Sequence, residues 1–278
     1  MLPPIANRFV AGETCAEVLD HVRQVNDRGV GAIVNLLGEH YREKAPVTED
    51  AETYLALIDD VADADLDACV SAKPTQLGLD LGADVLDETL RRIVDHASKR
   101  GVFVWVDMED HTTTDATLNI VEELAQEHEW NVGVCLQANL KRTVDDVERF
   151  AEVPAKIRLV KGAYDEPARV AYTDAERVNA AFRELLETMF RTYEGGIAVG
   201  SHDPEMIDYA IQLHEVHGTP FELQMLMGVR EDAQEELARE YEVWQYVPFG
   251  SRWFSYFSRR VMERKENLLF AIRAIIGR

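Results

Sequence analysis

The chemistry is easiest to read near the end of the chain. Trp244-Gln-Tyr-Val-Pro-Phe-Gly250 reads as a strand and a glycine turn. Ser251 to Asn267 then reads as an amphipathic helix carrying Arg259 and Arg260 side by side. Guanidinium forks bind carboxylates or phosphates through paired hydrogen bonds. An arginine pair just past a strand end, flanked by Tyr246, Trp253 and Tyr256, reads as an anion clamp in a partly apolar pocket. The competing reading is a solvated helix face that answers nearby acids.

Other candidates lie upstream. Lys73 follows directly on an apolar run, where a lysine could be a Schiff-base nucleophile, a carboxylate anchor or a snorkelling rim residue. With Asp107 on the neighbouring strand, a pair that aims the ammonium at an anionic substrate is preferred. Asp107, Glu109, Asp110 and His111 could instead hold a divalent metal, although strand alternation lets at most two of them share a site without a turn. Lys161-Gly162-Ala163-Tyr164 places small residues where backbone could approach a flat ligand, with Tyr164 as a wall; tight turns alone also favour glycine. His202 is ambiguous, because a lone histidine is more often a structural hydrogen bonder than a catalyst.

The elements that must position these groups recur along the whole chain. Strand candidates are Ala32-Leu37, Ala68-Ala72, Phe103-Val106, Val132-Leu136, Lys156-Val160, Ile197-Gly200, Phe221-Gln224 and Val243-Val247. Between them lie segments of helical period, such as Ala83 to His96, Ala175 to Tyr193 and Met206 to Val216, and Val18 to Arg28 precedes the first strand. Continuous apolar strands with helical crossovers imply parallel pairing. Eight units predict a single-domain α/β chain, a closed (β/α)8 barrel over residues 1–278 with a short N-terminal lead-in. An open doubly wound sheet is the alternative, but no G-x-G-x-x-G follows an early strand. In such a barrel the residues just after each strand gather on one face. Lys73, Asp107, Gln137, Arg158 with Lys161, Ser201-His202, Gln224 and Tyr246 all fall there.

Formal charge is −22, which makes nucleic acid an improbable partner. Only seven of the 29 basic residues are lysine, and acidic runs such as Asp59-Asp60-Val-Ala-Asp63 sit on expected helix surfaces. That composition suits a protein soluble at very high salt, where screening removes self-repulsion, and a halophilic source is expected. No signal peptide or membrane span is expected, and Cys15, Cys69 and Cys135 lack any metal-ligand spacing, so free thiols in a reducing cytoplasm are the default.

Taken together, Arg158-Leu-Val-Lys-Gly-Ala-Tyr164, Phe221-Glu-Leu-Gln-Met-Leu226, Tyr246-Val-Pro-Phe-Gly250 and Tyr256-Phe-Ser-Arg-Arg260 with Glu263 resemble the proline dehydrogenases. Phe9-Val-Ala-Gly-Glu13 and Asp107-Met-Glu-Asp-His111 match the short monofunctional branch of that family. The resemblance implies a barrel that holds FAD noncovalently and oxidises L-proline to Δ1-pyrroline-5-carboxylate by hydride transfer from proline C5 to flavin N5. It further implies a quinone or other electron acceptor, and a possible partnership with pyrroline-5-carboxylate dehydrogenase. By position, Arg259, Arg260 and Lys73 would hold the substrate carboxylate, with Asp107 ordering the lysine. Tyr246, Tyr256 and Leu226 would enclose the ring, with Ala163 the small neighbour and Tyr164 following it. Arg158 would sit near the reactive flavin nitrogen, and Gln137, Val160, Gly162, Ser201, His202, Gln224 and Glu263 would line the cofactor.

Three positions depart from the family's pattern: Ser201 stands for a threonine, Asp203 for an asparagine and Met227 for an aromatic. An acid at 203 would repel cofactor phosphates unless it points away. Leading helices of relatives are expected to be shortened or missing. The expected location is cytoplasmic, with peripheral contact at the inner face of the membrane if a quinone accepts the electrons.

Overall fold

The computed structural model of this chain describes residues 6–194 and 196–254. Its strands are β1 (Gly31–Leu36), β2 (Ala68–Ala72), β3 (Val104–Val106), β4 (Val132–Gln137), β5 (Lys156–Val160), β6 (Ile197–Gly200), β7 (Phe221–Leu226) and β8 (Glu242–Phe249). All pair in parallel with their sequence neighbours, and β8 closes on β1, giving an eight-stranded barrel. The helices are α1 (Cys15–Asn26), α2 (Lys44–Asp63), α3 (Ala83–Arg100), α4 (Thr114–Glu127), α5 (Thr143–Arg149), α6 (Ala175–Thr192), α7 (Pro204–His217) and α8 (Glu231–Leu237). The barrel expectation holds, with three strands as expected and the ends of the others displaced by one or two residues. The largest displacements extend β7 and β8 through the residues that line the mouth.

Alternation along the strands explains why the barrel closes. One set of side chains, including Val34, Val70, Val104, Val134, Leu159, Val199 and Leu223, packs outward into a continuous core with Val22, Tyr54, Leu57, Leu90, Ile93, Val121 and Leu186 of the helices. The other set points into the lumen, where Ile33, Cys69, Trp105 and Ala198 form a small apolar plug against Phe103, Trp244 and Tyr246. Branched residues outside, and one bulky layer with a few small partners inside, leave the upper lumen free for polar groups.

Three of the helices start where short polar side chains satisfy their first amides. Thr14 and Glu17 form a reciprocal capping box on α1, and Asp174 and Asp203 cap α6 and α7. Pro204 occupies the first turn of α7, where no intrahelical amide bond is lost. Cys15, Cys69 and Cys135 are free thiols, and the last two are buried.

Candidate active site

Period-two arithmetic brings five side chains to one point. Asp107 is the next lumen position after Phe103 and Trp105, Ser71 and Lys73 follow Cys69, Arg158 follows Lys156, and Tyr246 follows Trp244. At that point Asp107 accepts four hydrogen bonds. Ser71 Oγ and Arg158 Nη1 donate to Oδ1 at 2.6 and 2.7 Å, while Tyr246 Oη and Lys73 Nζ donate to Oδ2 at 2.7 and 2.9 Å. Lys73 Nζ also reaches the Tyr246 oxygen at 3.2 Å. The Arg158 guanidinium lies 4.5 Å from the Trp105 ring centroid, so the apolar plug is also its platform.

The node carries two cations and one anion, a surplus of one positive charge inside a chain of net charge −22. Burial alone would push the Asp107 carboxyl up. Lys73 and Arg158, with the Ser71 hydrogen bond, overcome that and hold it well below the usual carboxylate range. Burial disfavours the Lys73 ammonium, but the Asp107 charge, then Tyr246 and Tyr164, raise its pKa well above the ordinary lysine value. Burial and Asp107 together drive the Tyr246 phenol well above its usual value, so it remains a neutral donor. Lys73 is therefore a permanent cation, which fits an anion anchor and not a Schiff-base nucleophile, whose lysine must be depressed.

The remaining candidates surround this node. Gln137, ending β4, is fixed by donating to the Glu109 carbonyl at 2.8 Å, and its own carbonyl accepts from the Ala163 amide at 3.4 Å. Ala163 is exposed at the rim, and Gly162 before it has φ +118°, with its missing Cβ position 2.2 Å from Asn139 Oδ1. Val160 pairs in register with Gln137 and Gly200. His202 Nε2 accepts from the Leu226 amide at 3.0 Å, which assigns the proton to Nδ1 and ties two strand ends together. Ser201 Oγ accepts from the Asp203 amide, and Asp203 caps α7 while meeting Lys161 Nζ at 2.6 Å. The acid that departs from the family pattern thus has a basic partner on the neighbouring loop. Gln224 donates downward to Glu222 at 2.5 Å.

The acidic cluster after β3 disperses instead of converging. Asp107 joins the node, and Glu109 accepts from the Thr75 amide and hydroxyl at 2.8 and 2.7 Å. Asp110 closes a turn on Thr112, and His111 meets Glu166 on the β5–α6 loop. Among the described residues no group of three or more His, Cys, Asp or Glu is arranged to hold a metal. Sequence reasoning missed Ser71 and Trp105, which resemble core residues until the alternation in β2 and β3 is fixed. It also gave Asp107 only one cation, whereas the carboxylate holds Lys73 and Arg158 together. Tyr256, Arg259, Arg260 and Glu263 lie outside the described residues.

Comparison with known proteins identifies the family. A family model described as proline dehydrogenase matches residues 18–273, a span that includes the Tyr256-to-Glu263 motif. Proline dehydrogenase 1 of Bacillus subtilis subsp. natto is 36% identical over 275 residues, covering 98% of this chain and 90% of the relative. The proline dehydrogenase of Deinococcus radiodurans is 36% identical over 285 residues, with the same two coverages. Among solved structures, proline utilization A from Bdellovibrio bacteriovorus, inactivated by N-propargylglycine, superposes with a TM-score of 0.84 at 23% identity, covering 93% of this chain and 32% of that one. The same protein from Corynebacterium freiburgense gives 0.79 at 24% identity, with coverages of 93% and 31%. This chain thus spans about a third of those larger proteins, and the likeness to them is one of fold. The near-full-length sequence matches carry the assignment: the chain belongs to the proline dehydrogenase family.

Proposed function

We propose that this chain oxidises L-proline to Δ1-pyrroline-5-carboxylate, the first step of proline catabolism, with FAD held noncovalently at the C-terminal mouth of the barrel. The observation that carries the reading is the Asp107 node, a buried site with one positive charge in excess where a barrel enzyme keeps its chemistry. A small carboxylate is the ligand that surplus suits.

The residues also fit a flavin. Arg158 Nε and Nη2 and Gln224 Oε1 are buried without a hydrogen-bond partner among the described residues. Two donors and one acceptor beside the lumen complement the mixed acceptor and donor edge of an isoalloxazine ring. Arg158 and Gln224, with Gln137, Val160, Gly162, Ser201, His202 and Glu263, would hold the cofactor. When bound, FAD would supply the acceptor for the hydride, which carries both electrons away from the substrate's C–N unit.

This chain's own residues supply position. Lys73, with Arg259 and Arg260, fixes the carboxylate, and Asp107 keeps the lysine charged and aimed. Tyr246, Tyr256, Leu226 and Tyr164 enclose the pyrrolidine ring, while Ala163 leaves it room. The substrate amine must lose its proton before the C–N bond is oxidised. Asp107, committed to four donors, is a poor base for that proton, so the neutral amine is taken from solution and kcat/KM rises with pH through the alkaline range.

A quinone or another acceptor then takes the electrons, and pyrroline-5-carboxylate dehydrogenase consumes the product. The reading places the protein in the cytoplasm, with peripheral contact at the inner membrane face; no helix among the described residues is long and apolar enough to cross a membrane. The lysine-poor acidic surface supports a halophilic source. The test is a visible spectrum of the protein purified in high salt, followed by anaerobic addition of L-proline. Flavin bands that bleach support cofactor and substrate together. Bands that persist with L-proline but bleach with hydroxyproline move the substrate, and a protein that stays colourless after FAD addition overturns the reading.

A further inference from the structure

Outside the barrel wall, a chain of three polar side chains runs from α1 to the end of β7. His21 Nε2 donates to Gln245 Oε1 at 2.8 Å, and Gln245 Nε2 donates to Gln234 Oε1 at 2.9 Å. Gln234 Nε2 then donates to two backbone carbonyls, Leu226 at 3.0 Å and Val229 at 2.9 Å. Those carbonyls fix every orientation in the chain. The Gln234 amide group must turn its NH2 towards them and its oxygen towards Gln245, which leaves His21 to supply the last N–H. Gln234 and Gln245 are buried, and nothing in the proposed chemistry uses them.

The inner end of the chain shows its use. Leu223 and Met225 of β7 pack outward, so Glu222, Gln224 and Leu226 face the lumen, and Leu226 pairs in register with Tyr246 of the node. β6 ends at Gly200 opposite Gln224, so Leu226 projects two residues beyond its neighbour on that side. Its amide is taken instead by His202 Nε2 at 3.0 Å, and its carbonyl by Gln234 and by the Val229 amide at 3.3 Å. The loop beyond it is held from outside as well. Arg230 Nη1 donates to the His202 carbonyl at 2.6 Å, the Gly228 amide to Glu231 at 3.0 Å, and a Cβ at Gly228 would lie 2.1 Å from the Arg8 carbonyl oxygen. A strand end without a strand beside it is thus pinned by side chains.

We propose that Gln234, oriented by Gln245 and His21, is a positioning residue that fixes Leu226 as a rigid wall of the ring slot and so sets the ring size the enzyme accepts. The inference rests on the reading of Leu226 as a ring neighbour but assigns function to residues that touch neither substrate nor flavin. It separates ring discrimination from carboxylate binding, because Lys73 and Asp107 belong to β2 and β3 and share no hydrogen bond with this chain.

The test measures kcat and KM for L-proline, and inhibition by cyclopentanecarboxylate and cyclohexanecarboxylate, which keep the carboxylate and differ by one methylene. Wild type should bind the five-membered ring about tenfold more tightly, the usual worth of a methylene against a rigid wall. Gln234→Met keeps the bulk and removes both donors; it should raise KM for proline several-fold and abolish most of that preference. His21 is partly exposed, so His21→Leu keeps the fold if Gln234→Met does not. It should lower the preference about threefold, and His21→Gln, whose amide can donate in place of Nε2, should restore it. A role in stability alone would lower Tm and leave the ratio of the two inhibition constants at its wild-type value. That outcome in either variant, or a wild type indifferent to ring size, would overturn the inference. A wild-type protein that L-proline does not reduce would remove the function reading itself, a result visible before any variant is made.

Discussion

At the N-terminal end of the barrel lumen Lys156 meets Glu222 at 2.6 Å, and towards the other end Lys73 and Arg158 meet Asp107 at 2.9 and 2.7 Å. Both are ion pairs inside the same cylinder, and their acids respond in opposite directions. For Glu222 burial outweighs Lys156, and its carboxyl lies above the usual range; for Asp107 two cations outweigh burial, and its carboxyl lies below. The lower pair is balanced one to one, and Gln224 supplies a further donor to its acid. The upper node keeps a positive surplus and leaves two Arg158 nitrogens without partners among the described residues. A balanced pair closes the barrel, whereas a surplus pair is available to an anionic ligand.

Asp107→Asn should break that contrast most severely. It leaves Lys73 and Arg158 as two buried cations without their anion, and kcat/KM for proline should fall by about 100-fold or more. Steady-state kinetics on variant protein with an intact circular dichroism spectrum checks this. Glu222→Gln should instead lose stability, about 1–3 kcal/mol since partly exposed Lys156 can turn to water, and leave KM for proline unchanged. Urea unfolding and proline kinetics on the same preparation separate the two effects.

Acid sharpens the comparison. A carboxyl whose folded pKa is raised binds protons more readily in the native state, so Glu222 adds stability as pH falls through its raised value towards the ordinary glutamate pKa of about 4.3. Asp107, with a depressed pKa, keeps its full contribution down to the ordinary aspartate value of about 3.9 and loses it only below. Wild-type protein should therefore gain stability relative to Glu222→Gln between about pH 7 and about pH 4, and a flat difference would contradict the assignment. The smallest effect belongs to Ser71→Ala. It removes one of four donors to Asp107 and should cost a few-fold in kcat/KM, about 1 kcal/mol of hydrogen bonding, with Ser71→Thr restoring part of it.

How far the sequence leads differs between these regions. The barrel was legible because eight apolar strands recur with helical segments between them, and the Lys73–Asp107 pair because both residues stand at strand ends. Ser71 was not, because a serine inside Ala68–Ala72 reads as core until β2 is aligned with β3. Arg158 was legible as a site residue, but its bond to Asp107 depends on which lumen level each strand contributes, a property of barrel register and not of local pattern. The His21–Gln245–Gln234 chain was invisible because His21 lies 224 residues from Gln245 and nothing local marks the pair. Asp203 shows the reverse: its cost was foreseen, but the lysine that meets it had been read only as part of a ligand-binding turn.

The most direct test of the central claim, that the node's positive surplus anchors a carboxylate, is single-turnover anaerobic reduction of wild type and Lys73→Met by L-proline and by pyrrolidine, which lacks the carboxylate. Lys73→Met should lose its preference for proline, with proline reduction falling by about 100-fold or more and pyrrolidine reduction unchanged. Equal loss with both amines, or undiminished proline reduction, would contradict the account.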